Sequence, residues 1–188
     1  MFSHKKLPLN FLEGKRILDI GCGRSKLKGS IGLDCNPYDG VDVLANLEEP
    51  LPLPDASFDC VYANQVLEHV RELIPLILEI HRILKPGGFL LAHVPYFRSS
   101  WAHIDPTHVR SFTLDSLDYF VRDTWYYNLY RFSDISFSSI EKYLDSDYPS
   151  TFNRKIFTTL ALRNSSKYEN SFLSFVAPFE QLTFILKK

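Results

Sequence analysis

The sequence predicts an α/β protein with an open, mostly parallel sheet covered by helices on both faces. Short apolar runs typical of buried strands alternate with connecting segments, and one connection has apolar residues at helical spacing. Two of the runs end in residues suited to ligand binding, DIGCG at 19–23 and Asp34. Because ligands of such folds bind at the carboxyl ends of the strands, these two ends predict a shared binding site.

Apolar runs bounded by Gly, Pro, Asp or Asn predict the first strands of the sheet. They cover residues 16–20, 31–33, 41–44, 58–63 and 89–94. A helix is predicted over residues 71–84, with Pro75 near its first turn, where proline is tolerated. The sequence KPGG at 85–88 ends this helix and leads into the next strand.

After residue 95 the pattern changes, and His-rich and aromatic residues dominate up to residue 112. A helix is predicted over 114–121, late strands over 132–140 and 181–186, and helices or loop over 141–178. The last strand is expected to be antiparallel. The length of 188 residues suits one domain, which we divide into a tail (1–14), a core that carries the predicted ligand site (15–95), and a cap with the late strands (96–188).

Composition predicts in which compartment the chain works and which partners it lacks. The formal net charge of -1 provides no general attraction to nucleic acid, so no nucleic-acid partner is expected. Cys22, Cys35 and Cys60 show no CxxC pairing and lie in or beside apolar runs, which predicts buried or semi-buried free thiols in a reducing compartment. The N-terminus lacks a signal-peptide pattern, and no apolar run could cross a membrane. A cytoplasmic location without membrane association is therefore expected.

The glycines and acids near the first two strand ends favour a particular ligand. Gly21 and Gly23 allow a sharp turn and close approach of a ligand to the backbone. Lys26 stands where a dinucleotide fingerprint needs its third glycine, and Asp34 follows too soon for that motif. A carboxylate at Asp34 suits a ribose diol, while Asp19 disfavours a pyrophosphate and favours a cation. A nucleoside that carries a positive charge fits both.

Four stretches carry a resemblance to a known family: ILDIGCG, IGLD, PLPDASFDCVYANQVLEHV and HRILKPGGFLLAHVP. Together, over about residues 15–95, they resemble the class I S-adenosylmethionine-dependent methyltransferases. The resemblance implies a Rossmann-like fold and S-adenosyl-L-methionine as cofactor. It also implies a set of cofactor-binding residues: Asp19, Gly21 and Gly23 under the methionine half, Asp34 at the ribose, Asn46 and Leu47 at the adenine, and Asn64 beside the methionine and the acceptor.

The sequence departs from this family in the same region. Asn46 is neutral where the family usually has an acid. The connection at 24–30 supplies seven residues, too few for a full crossover helix, so at most a turn or two of helix is expected there. Arg24, Ser25 or Lys26 would be available for the cofactor's carboxylate, or all three are simply solvated loop residues.

The segment WAHIDPTHVRSFT places His103, Asp105, His108 and Arg110 just after the fifth strand, where acceptor sites lie in this fold. Three interpretations remain open: an Asp-Pro-Thr turn capped by Asp105, an acid/base group at the acceptor, or a divalent metal site. We predict His108, His103 and Asp105 as catalytic residues and expect no metal site. His69 in LEHV is expected near the mouth of the sheet, with a structural or a chemical role.

The resemblance implies methyl transfer from S-adenosylmethionine to an oxygen or nitrogen of an unidentified, small-molecule acceptor. Aromatic residues after position 95 suggest a lid over that acceptor, although many of them could belong to the core. The alternative is a non-catalytic cofactor-binding subunit or regulator with the same fold. The oligomeric state stays open.

Overall fold

A computed structural model of the protein describes residues 12–145, 152–176 and 179–188. The described residues form seven strands: β1 (Ile17–Ile20), β2 (Ile31–Asp34), β3 (Val43–Leu44), β4 (Phe58–Asn64), β5 (Leu84–Pro95), β6 (Ser139–Asp145) and β7 (Gln181–Lys187). They also form six α-helices: α1 (Leu73–Ile83), α2 (Trp101–Ile104), α3 (Trp125–Tyr130), α4 (Phe152–Arg163), α5 (Ser165–Glu169) and α6 (Leu173–Val176).

All seven strands belong to a single sheet with the order β3-β2-β1-β4-β5-β7-β6. Strands β1 to β5 pair in parallel, whereas β7 runs antiparallel to both of its neighbours, β5 and β6. The predicted fold class and the antiparallel last strand are thereby confirmed. The strand order reverses between β1 and β4, and the crevice at such a reversal is where open α/β sheets bind ligands.

Helix α1 shows how the sequence pattern produces the packing. Its buried residues recur every three or four positions, which forms one apolar stripe against the sheet: Leu73, Leu76, Ile77, Ile80 and Ile83. Glu48 satisfies the exposed N-terminus of the helix, since its carboxylate accepts hydrogen bonds from the backbone N–H groups of Arg71 (2.6 Å) and Glu72 (3.0 Å). Leu84 is extended and ends the helix, so the predicted span of 71–84 is confirmed to within two residues.

The two faces of the sheet are covered differently. A large buried cluster that includes α1 covers one face. On the other face Leu12 packs with Ile17, Cys60 and Leu91, and Leu27 from the short connection packs against them. Leu12, which falls in the tail predicted from the sequence, is thus part of the core. Residues 1–11 of that tail lie outside the described residues.

The connection between β1 and β2 consists of turns. Residues 21–30, all of which the structure describes, contain no α-helix. This confirms the prediction from the short spacing between the two strands.

Two predictions for the second half of the chain are wrong. The segment 114–121 forms turns and a short 3-10 helix, Asp118–Phe120, because the Ser116 hydroxyl accepts from the backbone N–H of Thr113 and favours a turn there. The strand predicted over 132–140 begins only at Ser139 and continues to Asp145. Pairing of Ser139 with Lys187, at the end of β7, sets this position. The strand predicted over 181–186 is confirmed.

Cysteine burial and membrane topology were also predicted. Cys22 and Cys60 are buried free thiols, whereas Cys35 is exposed, so the prediction is wrong for Cys35. Cys35 follows the last residue of β2 and lies at the open end of the sheet, where the chain leaves the core.

Among the described residues, no helix has the length and apolar character needed to cross a bilayer.

Candidate active site

A cavity of about 300 Å³ opens at the carboxyl ends of β1, β2 and β4. Four residues from the predicted cofactor set line it: Gly21, Asp34, Asn46 and Leu47. The charged residues in its lining, Asp34 and Glu48, are both acidic. A cavity of this size is typical of small-molecule sites, and its charge favours a cationic ligand.

Asp34 is held by the loops that border the cavity. Its Oδ2 accepts a hydrogen bond from the backbone N–H of Gly23 (2.9 Å), and its Oδ1 accepts from that of Asn36 (2.8 Å). The residue is buried, with 8% of its surface exposed. Each carboxylate oxygen can accept more than one hydrogen bond, so both oxygens keep capacity for the hydroxyls of a ligand.

Gly21 lies where a side chain would not fit. Its φ of +61° is in the left-handed region, which favours glycine. A Cβ at this position would lie 2.6 Å from Cγ2 of Val66. Val66 also lines the cavity, so the loop after β1 and the turn after β4 meet at this glycine.

Three residues of the predicted cofactor set, Asp19, Gly23 and Asn64, are not among the residues that line the cavity. The Asp19 carboxylate accepts from the backbone N–H of Leu27 (2.7 Å), and burial raises the pKa of Asp19. The backbone N–H of Gly23 donates a hydrogen bond to the Asp34 carboxylate. Asn64 is the exposed last residue of β4. Their roles toward a cofactor stay predictions.

Two basic side chains of the short connection after β1, Lys26 and Arg24, make different interactions. Lys26 forms an ion pair with Asp42 at 2.8 Å, which leaves it less available for a ligand carboxylate. The Arg24 guanidinium lies over the ring of Tyr38, 4.8 Å from the ring centroid. Tyr38 lines the cavity, so Arg24 contacts a residue of the cavity wall.

The turn after β4 contributes cavity residues that were not predicted to bind the cofactor: Gln65, Val66, His69 and Val70. Gln65 has a φ of +55°, a strained backbone conformation of the kind that is common at functional sites. The sequence could have pointed to these residues, because they belong to the stretch ANQVLEHV, which begins at the end of a predicted strand. Cys35, Asn36 and Tyr38 after β2 were missed in the same way.

His69 links the cavity to the segment after α2. Its ring centroid lies 4.7 Å from that of His108, with the rings at 72° to each other. Its Nδ1 lies 2.9 Å from the hydroxyl of Thr107, which donates to the Asp105 carboxylate at 2.6 Å. Burial, followed by the nearby His108, lowers the pKa of His69. This shift favours the neutral form of the imidazole.

The residues predicted as catalytic occupy different environments. The Asp105 carboxylate accepts from both the N–H and the hydroxyl of Thr107, which is the capped turn that the Asp-Pro-Thr sequence predicts. His103 is exposed, and its Nε2 lies 2.9 Å from the carbonyl oxygen of Phe97. His108 packs on His69. Of the three, His108 is in ring contact with a cavity residue, and Asp105 reaches that residue through Thr107.

Glu68 is buried beside this histidine pair. It is 1% exposed, and burial raises the pKa of its carboxyl group to about 7. Its backbone carbonyl accepts from the N–H of Val109 (2.9 Å), which joins the turn after β4 to the segment 105–112.

Comparison with known proteins finds methyltransferases similar to part of the chain. Residues 18–92 match the family model described as a methyltransferase domain. Over 100 residues the chain is 36% identical to a probable S-adenosylmethionine-dependent methyltransferase of Mycolicibacterium smegmatis, covering 44% of this chain and 38% of that protein. These similarities support the class I S-adenosylmethionine-dependent methyltransferases as the family that the matched part of the chain resembles. The cofactor of this family is S-adenosylmethionine.

Other similarities concern the fold and the extent of the match. A solved S-adenosylmethionine-dependent methyltransferase of Archaeoglobus fulgidus superimposes with a TM-score of 0.64 at 21% identity, covering 96% of this chain and 89% of that one. Cycloartenol-C-24-methyltransferase of Arabidopsis thaliana is 31% identical over 46% of this chain and 33% of its own length. The chain thus matches less than half the length of these curated relatives.

The cavity fits the family's cofactor on observations of this structure. Asp34 offers a buried carboxylate with remaining acceptor capacity, which suits the ribose hydroxyls. Leu47 and Val66 provide apolar walls, and among the described residues no Lys or Arg that would repel a sulfonium lines the cavity. The Asn46 side-chain oxygen accepts from the backbone N–H of Glu48 (3.1 Å) and provides a neutral acceptor.

Arg110, the fourth polar residue of the predicted cluster, has a structural role. Its guanidinium donates to the carbonyl oxygens of Val70 (2.7 and 3.1 Å) and Arg71 (2.6 Å). It therefore holds the segment 105–112 against the end of the turn after β4.

We expect the Arg110→Ala substitution to lower the free energy of unfolding by about 2 kcal/mol, because it removes several charge-assisted hydrogen bonds. Urea unfolding followed by circular dichroism measures this change. Arg122→Ala, at an exposed arginine, is the matched control and should change stability by less than about 0.5 kcal/mol. Equal stability of the two variants would show that the hydrogen bonds of the Arg110 guanidinium do not stabilise the fold.

Aromatic residues after position 95 were suggested to form a lid over the acceptor. Tyr96 and Phe112 are instead fully buried core residues. Trp101 and Trp125 are exposed, at 60% and 68%, and neither lines the cavity. The lid therefore stays an expectation for the exposed aromatics and is wrong for the two buried ones.

Proposed function

We propose that the protein transfers a methyl group from S-adenosylmethionine to an oxygen or nitrogen of a small-molecule acceptor. The observation that carries this proposal is the cavity, which lies where the strand order of the sheet reverses. Its lining combines His69 with four residues of the predicted cofactor set: Gly21, Asp34, Asn46 and Leu47. The net charge of -1 supports a small acceptor over a nucleic acid.

The residues around the cavity would bind and orient the reactants. When bound, S-adenosylmethionine would supply an electrophilic sulfonium methyl group for attack by an acceptor lone pair, with S-adenosylhomocysteine as the leaving group. Asp34 would hold the ribose hydroxyls, and Leu47 would pack on the adenine. Because the methyl donor is already activated, the protein contributes mainly by aligning the acceptor and accepting its proton.

The acceptor side is proposed to lie at His69 and His108. His69 is a cavity residue with a neutral imidazole, and His108 is in contact with it. Asp105 would act as a positioning residue through Thr107. His103 remains a weaker candidate, since it is exposed and bonded to a backbone carbonyl.

The proposed location is the cytoplasm. Cys22, Cys35 and Cys60 are all free thiols, and one of them is exposed. Free thiols are typical of a reducing compartment. Expression with a fluorescent tag, followed by cell fractionation, tests this location.

The function is tested by two measurements on the purified chain. Calorimetry should detect binding of S-adenosylhomocysteine with a dissociation constant of about 100 μM or tighter. Incubation with S-adenosylmethionine labelled on the methyl group and a metabolite extract should produce a labelled acceptor. Binding without transfer would favour the non-catalytic cofactor-binding alternative, and absence of binding would contradict the proposed function as a whole.

A further inference from the structure

Three side chains from two separate segments meet beside the cavity. Glu68 and His69 belong to the turn after β4, and His108 belongs to the segment after α2. One potential ligand atom from each lies within 4.8 Å of the other two. Ligands about 2.1 Å from a tetrahedral ion are about 3.4 Å apart, so side-chain rotations could bring all three onto one ion.

Glu68 is the unusual member of this group. Neither of its carboxylate oxygens has a hydrogen-bond partner among the described residues, although only 1% of the residue is exposed. A buried carboxylate without a partner is unfavourable, and buried charges in proteins are normally paired or coordinate metals. The fold therefore keeps a buried carboxyl group here whose oxygens no described residue satisfies.

The hydrogen bonds of His69 determine which of its nitrogens is free. The Thr107 hydroxyl donates its single hydrogen to the Asp105 carboxylate, which accepts from the Thr107 N–H as well. Nδ1 of His69 must then donate to the hydroxyl oxygen, and Nε2 carries the lone pair. An imidazole fixed through its second nitrogen in this way is typical of metal-ligating histidines.

His108 has the same arrangement. Its Nδ1 lies 3.3 Å from the carbonyl oxygen of Ala102, which can only accept, so Nδ1 carries the proton. Its Nε2 therefore also has a lone pair. Two imidazole lone pairs and a buried carboxylate are adjacent, and a cation would satisfy all three groups.

We propose that Glu68, His69 and His108 bind a divalent first-row transition-metal ion beside the cavity. Two imidazoles and one carboxylate form the ligand set of open Zn²⁺ and Fe²⁺ sites, which keep a coordination position for water or substrate. This proposal revises the expectation of no metal site. It also uses different ligands, because Asp105 orients His69 through Thr107 and His103 is bonded elsewhere.

The position of His69 suggests what the ion does, and this part rests on the proposed function. His69 is both a ligand and a cavity residue, so the open coordination position adjoins the place where the acceptor would lie. Because both imidazoles would then be ligands, water replaces a histidine as the proton acceptor. A bound hydroxyl oxygen would have a lowered pKa and would release its proton to water before methyl transfer. The acceptor class is therefore a molecule with a hydroxyl group that can coordinate a metal.

The site is tested with metal alone, on the full chain after chelation and dialysis. Calorimetric titration with Zn²⁺ and electron paramagnetic resonance with Mn²⁺ should both show one bound ion per chain. Glu68→Gln and His108→Ala should each weaken Zn²⁺ binding about tenfold or more, because each removes a direct ligand. His103→Ala is the matched control on the same segment and should keep the wild-type affinity for Zn²⁺.

Two results would overturn the proposal: no binding of either ion at millimolar concentration, or unchanged Zn²⁺ affinity in both Glu68→Gln and His108→Ala. The two variants alter opposite sides of the site, so a folding defect in one leaves the other informative. Binding of S-adenosylhomocysteine to the metal-free protein separates this proposal from the proposed function. Glu68 does not line the cavity, so Glu68→Gln should retain that binding. A wild-type chain that binds the nucleoside but neither ion would contradict the metal site alone.

Discussion

Replacing Asp34 with alanine is expected to weaken binding of S-adenosylhomocysteine about a hundredfold or more. The substitution removes the charged acceptor for two ribose hydroxyls, and each such hydrogen bond contributes about 1.5 to 3 kcal/mol. It also releases the backbone N–H groups of Gly23 and Asn36, which Asp34 holds at the cavity. Isothermal titration calorimetry measures the change in affinity.

Two further variants separate charge from loop structure. Asp34→Asn keeps one carbonyl acceptor for the loops but lacks the negative charge, so its affinity should fall between those of wild type and Asp34→Ala. Asp39→Ala removes an exposed carboxylate from the same connection and should bind as wild type does. If a folded Asp34→Ala protein bound the nucleoside normally, the ribose site would have to lie elsewhere.

Local patterns were sufficient to predict the first half of the fold. The strands near residues 17, 31, 58 and 89 are apolar runs that end at Gly, Asp, Asn or Pro, and most of their residues are buried, which makes the apolar runs nearly continuous. The strand β6 was misplaced because it lies at the edge of the sheet. Its position depends on pairing with β7, whose partner residues lie 36 to 48 positions along the chain, and no local pattern contains that information.

Part of the cavity lining could be predicted from strand ends and from the family resemblance. Strand ends pointed to Gly21 and Asp34, and the resemblance added Asn46 and Leu47; all four line the cavity, whereas the other three predicted residues do not. The acceptor side could not be predicted as well, since it depends on contacts between distant segments. Thr107 and His69 are 38 residues apart, and only the packing of the segment after α2 on the turn after β4 brings them together.

Substituting alanine for Gly21 should damage both the fold and the cofactor site. The new Cβ would lie 2.6 and 2.8 Å from the two Cγ atoms of Val66, and the φ of +61° is unfavourable for alanine. Left-handed strain and overpacking together should cost about 3 kcal/mol of stability. Because Gly21 and Val66 both line the cavity, we expect affinity for S-adenosylhomocysteine to fall about thirtyfold or more.

Gly23 offers the matched comparison, because it has a similar φ of +52° but a Cβ added there would meet no described atom beyond its chain neighbours within 4 Å. Gly23→Ala keeps the N–H that donates to Asp34, so it should cost about 1 kcal/mol of stability and leave affinity within about threefold of wild type. In the double variant Gly21→Ala/Val66→Ala the contacts at 2.6 and 2.8 Å disappear, while the strain and a tight Cβ–Cβ contact of 3.3 Å remain, which should restore part of the lost affinity. Equal losses in Gly21→Ala and Gly23→Ala would mean that backbone strain alone governs this loop, and that contact between Gly21 and Val66 does not shape the cavity.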